Sequence, residues 1–563
     1  YKELVSEYTN TSNHQTKELF RKTIEDIKRA FKIELSNQFK ERIAKLRGKV
    51  IMLESPTLFG ERTKAEKVEL KKLKEKLNIL EKEQEDIQTN KLYVDAFEWR
   101  FEFPQLLDEN GIFTGFDVVM GNPPYNELRD FDLSMQTVLK SSRYYEYAKG
   151  GRLNMFQFFY PLAINIAKDN GIVSMITQNS ILAEDSALGN RKLFFTQTNI
   201  LSVDSFPERD NKNLRVFESA KMSVCICTLR RNKQPDTCNI IPINVWHSRF
   251  MQDKHELNIA VEEIIEMYPE DFIIPISSNE KFLILKDIKK KGQYHIIASA
   301  GEIDMTKYKG KFNNIGLGTR VITGAQIQRY HITDCPSQGE VIYIANQDKP
   351  ALSAKRESEI SCPRIVLQRI TGVDSKVRII ATLIDKYVYC ANSTNYISLD
   401  GTVNIKYLLG LLNSTLVNFF IKQTSTNTNI TAKVLNSIPI IVSSGEKQVL
   451  ISNLAEYISI LKKNKQLTDI VSNETIASFF DKILDGCVYE LYFEEHMKKQ
   501  EINIIDSALK LIKPITHLSS DNEKADVIID VFMNIKKTDN PIRNRLDLFT
   551  LRSPEILKLI IEE

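Results

Sequence analysis

The sequence has little of what usually announces a metal site, a disulfide scaffold or a membrane anchor. Its seven cysteines (Cys225, Cys227, Cys238, Cys335, Cys362, Cys390 and Cys487) form no CxxC pair and are odd in number. They are expected to be reduced thiols of a cytoplasmic protein. The seven histidines do not sit at ligand spacing from these cysteines, so no zinc or other metal is expected. No run of about 18 apolar residues occurs, which argues against a membrane span, and no signal peptide is expected. The net charge is only +3, too small to prove a nucleic-acid partner. It excludes none either, because clustering of Lys and Arg on one face is what counts. Internal repeats and low-complexity tracts are missing. So is any glycine-rich turn in residues 1–115: the lone GxG is Gly316–Gly318. The sequence opens at Tyr1 and is already amphipathic by residue 20, so a further segment upstream is expected.

What is present is length and texture. The 563 residues suffice for two to four domains. Residues 1–90 read as a helical hairpin or insertion. Ile24, Ile27, Phe31, Leu35 and Phe39 recur at helical spacing, and a second helix carries Leu70, Leu73, Leu77, Leu80 and Ile87 as a seam. Its charged faces suit a packing spacer better than a DNA-contacting arm. Residues 91–232 alternate apolar strands with helices: "FDVVM", a helix in "MFQFFYPLAINIAKDNG" ended by Gly171, "IVSMIT", "NRKLFFTQT", "ILSVDSF" and "KMSVCICTLRR". This alternation predicts an α/β domain with a mostly parallel sheet. Residues 233–300 read as a connector with a helix in "HELNIAVEEIIEMYP". Residues 300–445 are richer in short strands and include one apolar helix over 405–423, and 446–563 is helical again.

The informative stretch is "FDVVMGNPPYNE", residues 116–127. In parallel α/β sheets ligands bind beyond the carboxyl ends of strands, and Asn122, Pro123, Pro124 and Tyr125 stand there. Two prolines fix the backbone and remove two N–H donors, leaving carbonyls free to accept. The Asn122 side-chain oxygen is another acceptor, and Tyr125 supplies a flat apolar face. Two acceptors beside a stacking plate suit a planar ring that bears an –NH2 group, such as adenine. An exocyclic amine is a weak nucleophile because its lone pair is shared with the ring. Accepting its two hydrogens draws the nitrogen toward tetrahedral geometry and frees that pair for an electrophilic methyl group. Tyr125 would then stack on a base swung out of the duplex. By chance alone, one (Asn/Asp/Ser)-Pro-Pro-aromatic string in a chain this long has a probability of roughly a few per cent. The plainer reading is a rigid proline turn with Tyr125 in packing.

"FDVVMGNPPY" resembles motif IV of the adenine-specific (amino) DNA methyltransferases, and the chain is similar to the long methylases of type IIG restriction–modification systems. "NGIVSMITQNSIL" (170–182) resembles the family's strand after the catalytic loop. "LRVFESAKMSVCICTLRR" (214–231) resembles its last sheet hairpin, where Phe217 matches the aromatic on the other face of the flipped base. "IGLGTRVITGAQI", "CPRIVLQRITG", "YLLGLLNSTLVNFFIK" and "ITAKVLNSIPI" look like its target-recognition domain. The resemblance implies a Rossmann-like methyltransferase sheet, present in part, with a helical insertion and an α+β target-recognition domain. It implies transfer of a methyl group from S-adenosylmethionine to adenine in double-stranded DNA (EC 2.1.1.72), within restriction–modification, where a fused or separate nuclease would lie outside this chain. The sequence departs from the family where the cofactor loop should be, so that loop is expected upstream of residue 1. The Gly316–Gly318 turn is a weak substitute.

Other residues carry less. Asp117 is a candidate cofactor contact, although an Asp at a strand start is more often solvated. Phe217 divides evenly between base stacking and core, and Trp99 and Phe101 read as packing. "KQTSTNTNITAK" (422–433), with Lys422, Thr426 and Lys433, has the residue types that hold phosphate and sugar. Arg364, Arg369, Lys376 and Arg378 lie in strand-rich sequence, where an arginine can read guanine. "KDIKKKG" (286–292) fits a basic helix end. Two further functions compete: methylation of RNA or protein by the same loop, and a DNA-specificity subunit or inactive fragment that binds DNA without catalysis.

Overall fold

The computed structural model describes residues 2–54, 69–78, 80–81, 97, 99–149, 153–336, 338–371, 377–399, 401–424, 429–443, 445–463 and 471–563. Contacts divide the chain into two compact units. One is Tyr1–Val118 with Asn165–Gly171, the other Val119–Ile164 with Ile172–Glu563. Among the described residues no helix is long and apolar enough to cross a membrane.

In the first unit, helices span Lys2–Asn10 and His14–Glu54. At 1.5 Å per residue the longer one runs about 60 Å. Residues 69–78 are helical as well. Ile43, Val50 and Leu80 are buried, and Arg47 Nη2 lies 2.6 Å from Glu81 Oε1, which brings the two helical stretches side by side. Ile87 lies outside the described residues. An aromatic nest then anchors the start of the first strand. The Phe116 ring meets Phe103 edge-on at 5.0 Å and Phe113 and Trp99 at 5.5 Å. Just before it, Gly115 has φ +93°, and a Cβ there would stand 2.6 Å from the Lys168 backbone nitrogen. Only glycine permits that crossing.

A six-stranded sheet follows, with β1 (Phe116–Gly121), β2 (Ala167–Gln178), β3 (Thr198–Phe206), β4 (Val224–Arg231), β5 (Ile240–Trp246) and β6 (Lys254–Ala260) in the order β1-β2-β4-β3-β5-β6. β4 runs antiparallel to both neighbours, and β3 and β5 are parallel. β2, β3 and β5 therefore share a direction and a carboxyl edge. The expected mostly parallel sheet is thus mixed. The expected connector supplies two strands, and its expected helix is strand β6 followed by a short helix, Val261–Met267. Alternation explains this: in β5, Ile241, Ile243 and Val245 are buried while the residues between them are less so. Helices Phe156–Ile166 and Leu188–Gln197 connect the early strands. The chain leaves the first of these at Ile166, five residues before Gly171.

Further along, two four-stranded sheets share residues 298–397. One joins Tyr389–Cys390, Thr319–Ile322, Ile342–Ile344 and Phe312–Asn313. The other joins Ala381–Ile384, Arg364–Gln368, Thr394–Ile397 and Ala298–Ala300. Val321, Ile344 and Tyr389 centre one small core, and Val366, Ile384 and Tyr396 the other. The apolar stretch after them forms two helices, Ile405–Asn413 and Thr415–Thr424, rather than one. Ser414 breaks it with ψ 153°, and the Asp485 carboxylate accepts the Thr415 N–H at 2.8 Å. Helices Gly445–Lys463 and Asn473–Lys499 follow.

Candidate active site

Strand β1 ends where residues 122–125 begin. Two consecutive prolines cannot donate to a ladder, so pairing stops there. Asn122 and Pro124 are exposed, Pro123 is buried and Tyr125 is half-buried. Side chains and backbone from residues 153–157 then set the course of the loop. Asn154 Nδ2 donates to the Tyr125 carbonyl at 2.8 Å, and Met155 N–H to the Asn126 carbonyl at 3.0 Å. Gln157 holds Asn154 in turn, accepting its N–H at 3.0 Å while donating to the Ser186 carbonyl at 2.9 Å.

Tyr125 is fixed at both ends. Its hydroxyl donates to the Ile176 carbonyl in β2 at 2.9 Å, and its ring meets Phe156 edge-on at 6.4 Å. Burial, and to a lesser degree the Cys225 thiol, pushes its pKa up to about 12. The phenol stays a neutral donor and an apolar plate. Phe217, on the loop between β3 and β4, has its ring centroid 6.0 Å from that of Tyr125 at an interplanar angle of 57°. Arginines tether that loop: Arg215 donates to the carbonyls of Arg209 and Glu218, and Arg249 Nη1 to Glu218 Oε1 at 2.7 Å. A flat guest between two parallel rings needs two carbon contact distances, about 7 Å in all. At 6.0 Å and 57° the two rings as they stand leave less than that room.

The structure places the other sequence candidates as follows. Asp117 pairs with Lys168, whose hydrogen bond holds its carboxyl below the usual range. Arg364 is wholly buried: its guanidinium pairs with Glu302, donates to the Val388 carbonyl and lies 4.5 Å from the Tyr396 ring centroid. Arg378 is also wholly buried, with Nε 3.3 Å from Thr371 Oγ1. Both were candidate base readers. Here both are core residues that present no donor to solvent: Arg364 lies in a strand whose next three residues are buried as well, and Arg378 lies just before the strand Ala381–Ile384. Arg369 is half-buried and donates to the Asn392 carbonyl at 3.2 Å. Lys422 donates to the Glu563 carbonyl at 2.7 Å, and Lys433 is paired with Asp185 and Asp271. Lys376 and Thr426 lie outside the described residues. The loop-positioning residues Asn154 and Gln157 escaped the sequence reading; their sole signal is two amides flanking the first residue of an apolar helix, Phe156.

The Gly316–Gly318 turn does not fit a cofactor cradle. It joins two strands, Phe312–Asn313 and Thr319–Ile322, and opens no helix, and a Cβ at Gly318 would stand 2.1 Å from the Ile344 carbonyl oxygen. Gly318 serves close backbone packing, and Gly316 supplies a left-handed φ of +82°. Among the described residues, no glycine-rich turn that follows a strand and opens a helix is available to hold S-adenosylmethionine.

Residues 8–212 match the Eco57I restriction-modification methylase family, and residues 319–440 match the TaqI-like C-terminal specificity domain. Over 471 residues the chain is 22% identical to RM.MjaORFECS2P of Methanocaldococcus jannaschii, named as a type II restriction enzyme and methyltransferase. The match covers 79% of this chain and 37% of that relative, so the chain spans little more than a third of its length. Among solved structures, the type IIL restriction-modification enzyme MmeI in complex with DNA is 13% identical. It covers 77% of this chain and 58% of its own, at a TM-score of 0.42. The DrdV–DNA complex is 10% identical, covering 79% and 57%, at a TM-score of 0.35. By its two family matches, the chain carries an Eco57I-type restriction-modification methylase region followed by a TaqI-like specificity domain.

Proposed function

We propose that this chain supplies the base-holding and DNA-reading parts of a DNA adenine methyltransferase of a restriction–modification system. The observation that carries the reading is the Asn122–Tyr125 loop at the carboxyl end of β1, with the ring of Phe217 facing that of Tyr125 at 6.0 Å. In this reading an adenine leaves the duplex and stacks on Tyr125, with Phe217 closing over its other face. Asn122 Oδ1 and the Pro123 carbonyl accept the two amine hydrogens and orient the nitrogen lone pair. S-adenosylmethionine is the methyl donor, and no described residue is assigned to hold it. The segment over 319–440 reads the duplex sequence.

Labelled methyl transfer to unmethylated duplex DNA by the complete protein that contains this chain tests this. Asn122→Ala is expected to lower the transfer rate by about 100-fold or more, the scale for losing one preorganised polar contact in a reaction, while duplex affinity changes little. Activity near wild type would remove Asn122 from its role. Label found in RNA or protein and not in DNA would change the substrate.

A second reading, a DNA-specificity component without catalysis, is favoured by one observation: the lack of a cofactor cradle among the described residues. Sequence-specific duplex binding with no methyl transfer at any S-adenosylmethionine concentration would select it.

A further inference from the structure

A second cavity lies on the same sheet edge as the candidate active site, and three of its lining side chains are Arg or Lys. It has a volume of about 330 Å³ and is lined by Asn179 and Pro207, the residues that directly follow β2 and β3. Arg209, His247, His255, Lys281 and Lys422 also line it, and Glu563 is the single acidic side chain among its lining residues. Arg209 is poorly satisfied: its Nε is buried without a hydrogen-bond partner, and its nearest carboxylate oxygen, on Asp210, is 3.6 Å away. The His247 and His255 rings meet edge to face at 4.6 Å. Burial, then the neighbouring His247 and Lys281, lowers the His255 pKa.

Glu563 behaves as a guest in this cavity. Lys281 pairs with its carboxylate, Gln423 Nε2 donates to Oε1 at 2.8 Å, and Lys422 Nζ donates to its carbonyl at 2.7 Å. Gln423 is itself buried and held by Ser277 Oγ at 2.9 Å. The 13-residue helix Asn279–Lys291, capped by Ser278, starts at the same wall and adds its positive end. Lys281 and the Gln423 amide hold the Glu563 carboxylate, Lys422 holds its main-chain oxygen, and Arg209 and a helix start line the same cavity. That is a receptor for a compact anion with several acceptor oxygens, and a phosphate has more such oxygens than a carboxylate.

We propose that this cavity takes a backbone phosphate of the duplex, displacing the Glu563 side chain, and so clamps the strand beside the extruded base. The inference rests on the DNA reading given above. Phosphate contacts of this kind set register and orientation and carry no base information. Glu563 acts as an internal competitor that lowers affinity for any duplex.

The test is anisotropy of a labelled duplex titrated with the full chain over a salt series. Lys281→Gln is expected to weaken binding several-fold on all sequences alike and to reduce the salt slope by about 1. Glu563→Gln is the discriminating variant. An anion stand-in predicts tighter duplex binding, by several-fold, with a steeper salt slope. A purely structural ion pair predicts lower thermal stability and no gain in affinity, and that result overturns the inference. A calorimetric titration with inorganic phosphate separates the source. Heat from free phosphate that grows in Glu563→Gln, with duplex binding unchanged, makes this a free-phosphate site and also overturns it. If the wild-type chain binds no duplex at all, the DNA reading itself fails. If the wild-type chain binds duplex and Asn122→Ala behaves as expected while Glu563→Gln does nothing, only the clamp fails.

Discussion

Tyr125 and Phe217 are 92 positions apart in the chain, yet their rings stand 6.0 Å apart at 57°, one fixed and one carried on a loop. The fixed ring is Tyr125, tied by its hydroxyl to the Ile176 carbonyl at 2.9 Å. The asymmetry gives the two rings different consequences on mutation. Stacking on one aromatic is worth about 1–3 kcal/mol per base. Phe217→Ala should therefore cost about 5- to 150-fold in methyl transfer at subsaturating DNA. Phe217→Trp should recover most of it. Tyr125→Phe keeps the plate and loses one hydrogen bond, about 1 kcal/mol, so its loss should stay within about tenfold. Fluorescence of 2-aminopurine placed at the target base reads the same step without chemistry. If Phe217→Ala leaves both signals unchanged, Phe217 is packing alone.

Arg364 and Glu302 make a different kind of pair, with both side chains fully buried. Glu302 Oε2 also accepts the Cys390 N–H at 2.7 Å. Removing one partner strands the other charge inside the protein, at a cost of about 3–5 kcal/mol. Arg364→Met should lower the urea midpoint sharply. A variant that folds with normal stability and loses only base preference would return Arg364 to the DNA interface.

Why some of this was legible in sequence and some was not follows from the range of the interactions involved. "FDVVMG" and the two prolines act locally, so a strand and its abrupt end could be read from residues 116–125. The proposed base-stacking role of Phe217 came from resemblance, because nothing in its own neighbourhood distinguishes it. β5 and β6 escaped because Pro242 interrupts the first and β6 runs straight into a helix at Val261, which blurs the change of period. Arg364 was misread because its partner lies 62 residues earlier. Burial of an arginine is decided by such a partner and not by the strand that carries it.

Gly318 separates a packing role from a cofactor role. It has φ +99°, and a Cβ would collide with the Ile344 carbonyl oxygen at 2.1 Å. Gly318→Ala must move backbone in a paired sheet, and a strained φ alone costs about 1–3 kcal/mol. Thermal unfolding should show a clear drop in midpoint, independent of added S-adenosylmethionine. If the midpoint holds and only the response to S-adenosylmethionine is lost, the turn is a cofactor loop after all.

Asp485 gives the chain a pH dependence with an unusual sign. It is half-buried in the helix Asn473–Lys499, where Thr415 donates to it through both N–H and hydroxyl. Burial, followed by the nearby Asp481 carboxylate, raises its pKa to about 7. Thr415 and Arg329, which is bound to Asp481 at 2.8 Å, offset part of that shift. In the unfolded chain the same carboxyl titrates near about 3.9. Between these values the folded state holds a proton that the unfolded state has released, so this group's contribution to stability falls as pH rises from about 4 to about 7, and is flat beyond. Glu490, also raised by burial, acts in the same direction. The difference between wild type and Asp485→Asn therefore isolates the effect. Urea midpoints taken at steps across this range should show the variant losing less stability than wild type as pH rises. Parallel curves would mean that Asp485 is ionised in the folded protein at neutral pH, held so by Arg329 and Thr415.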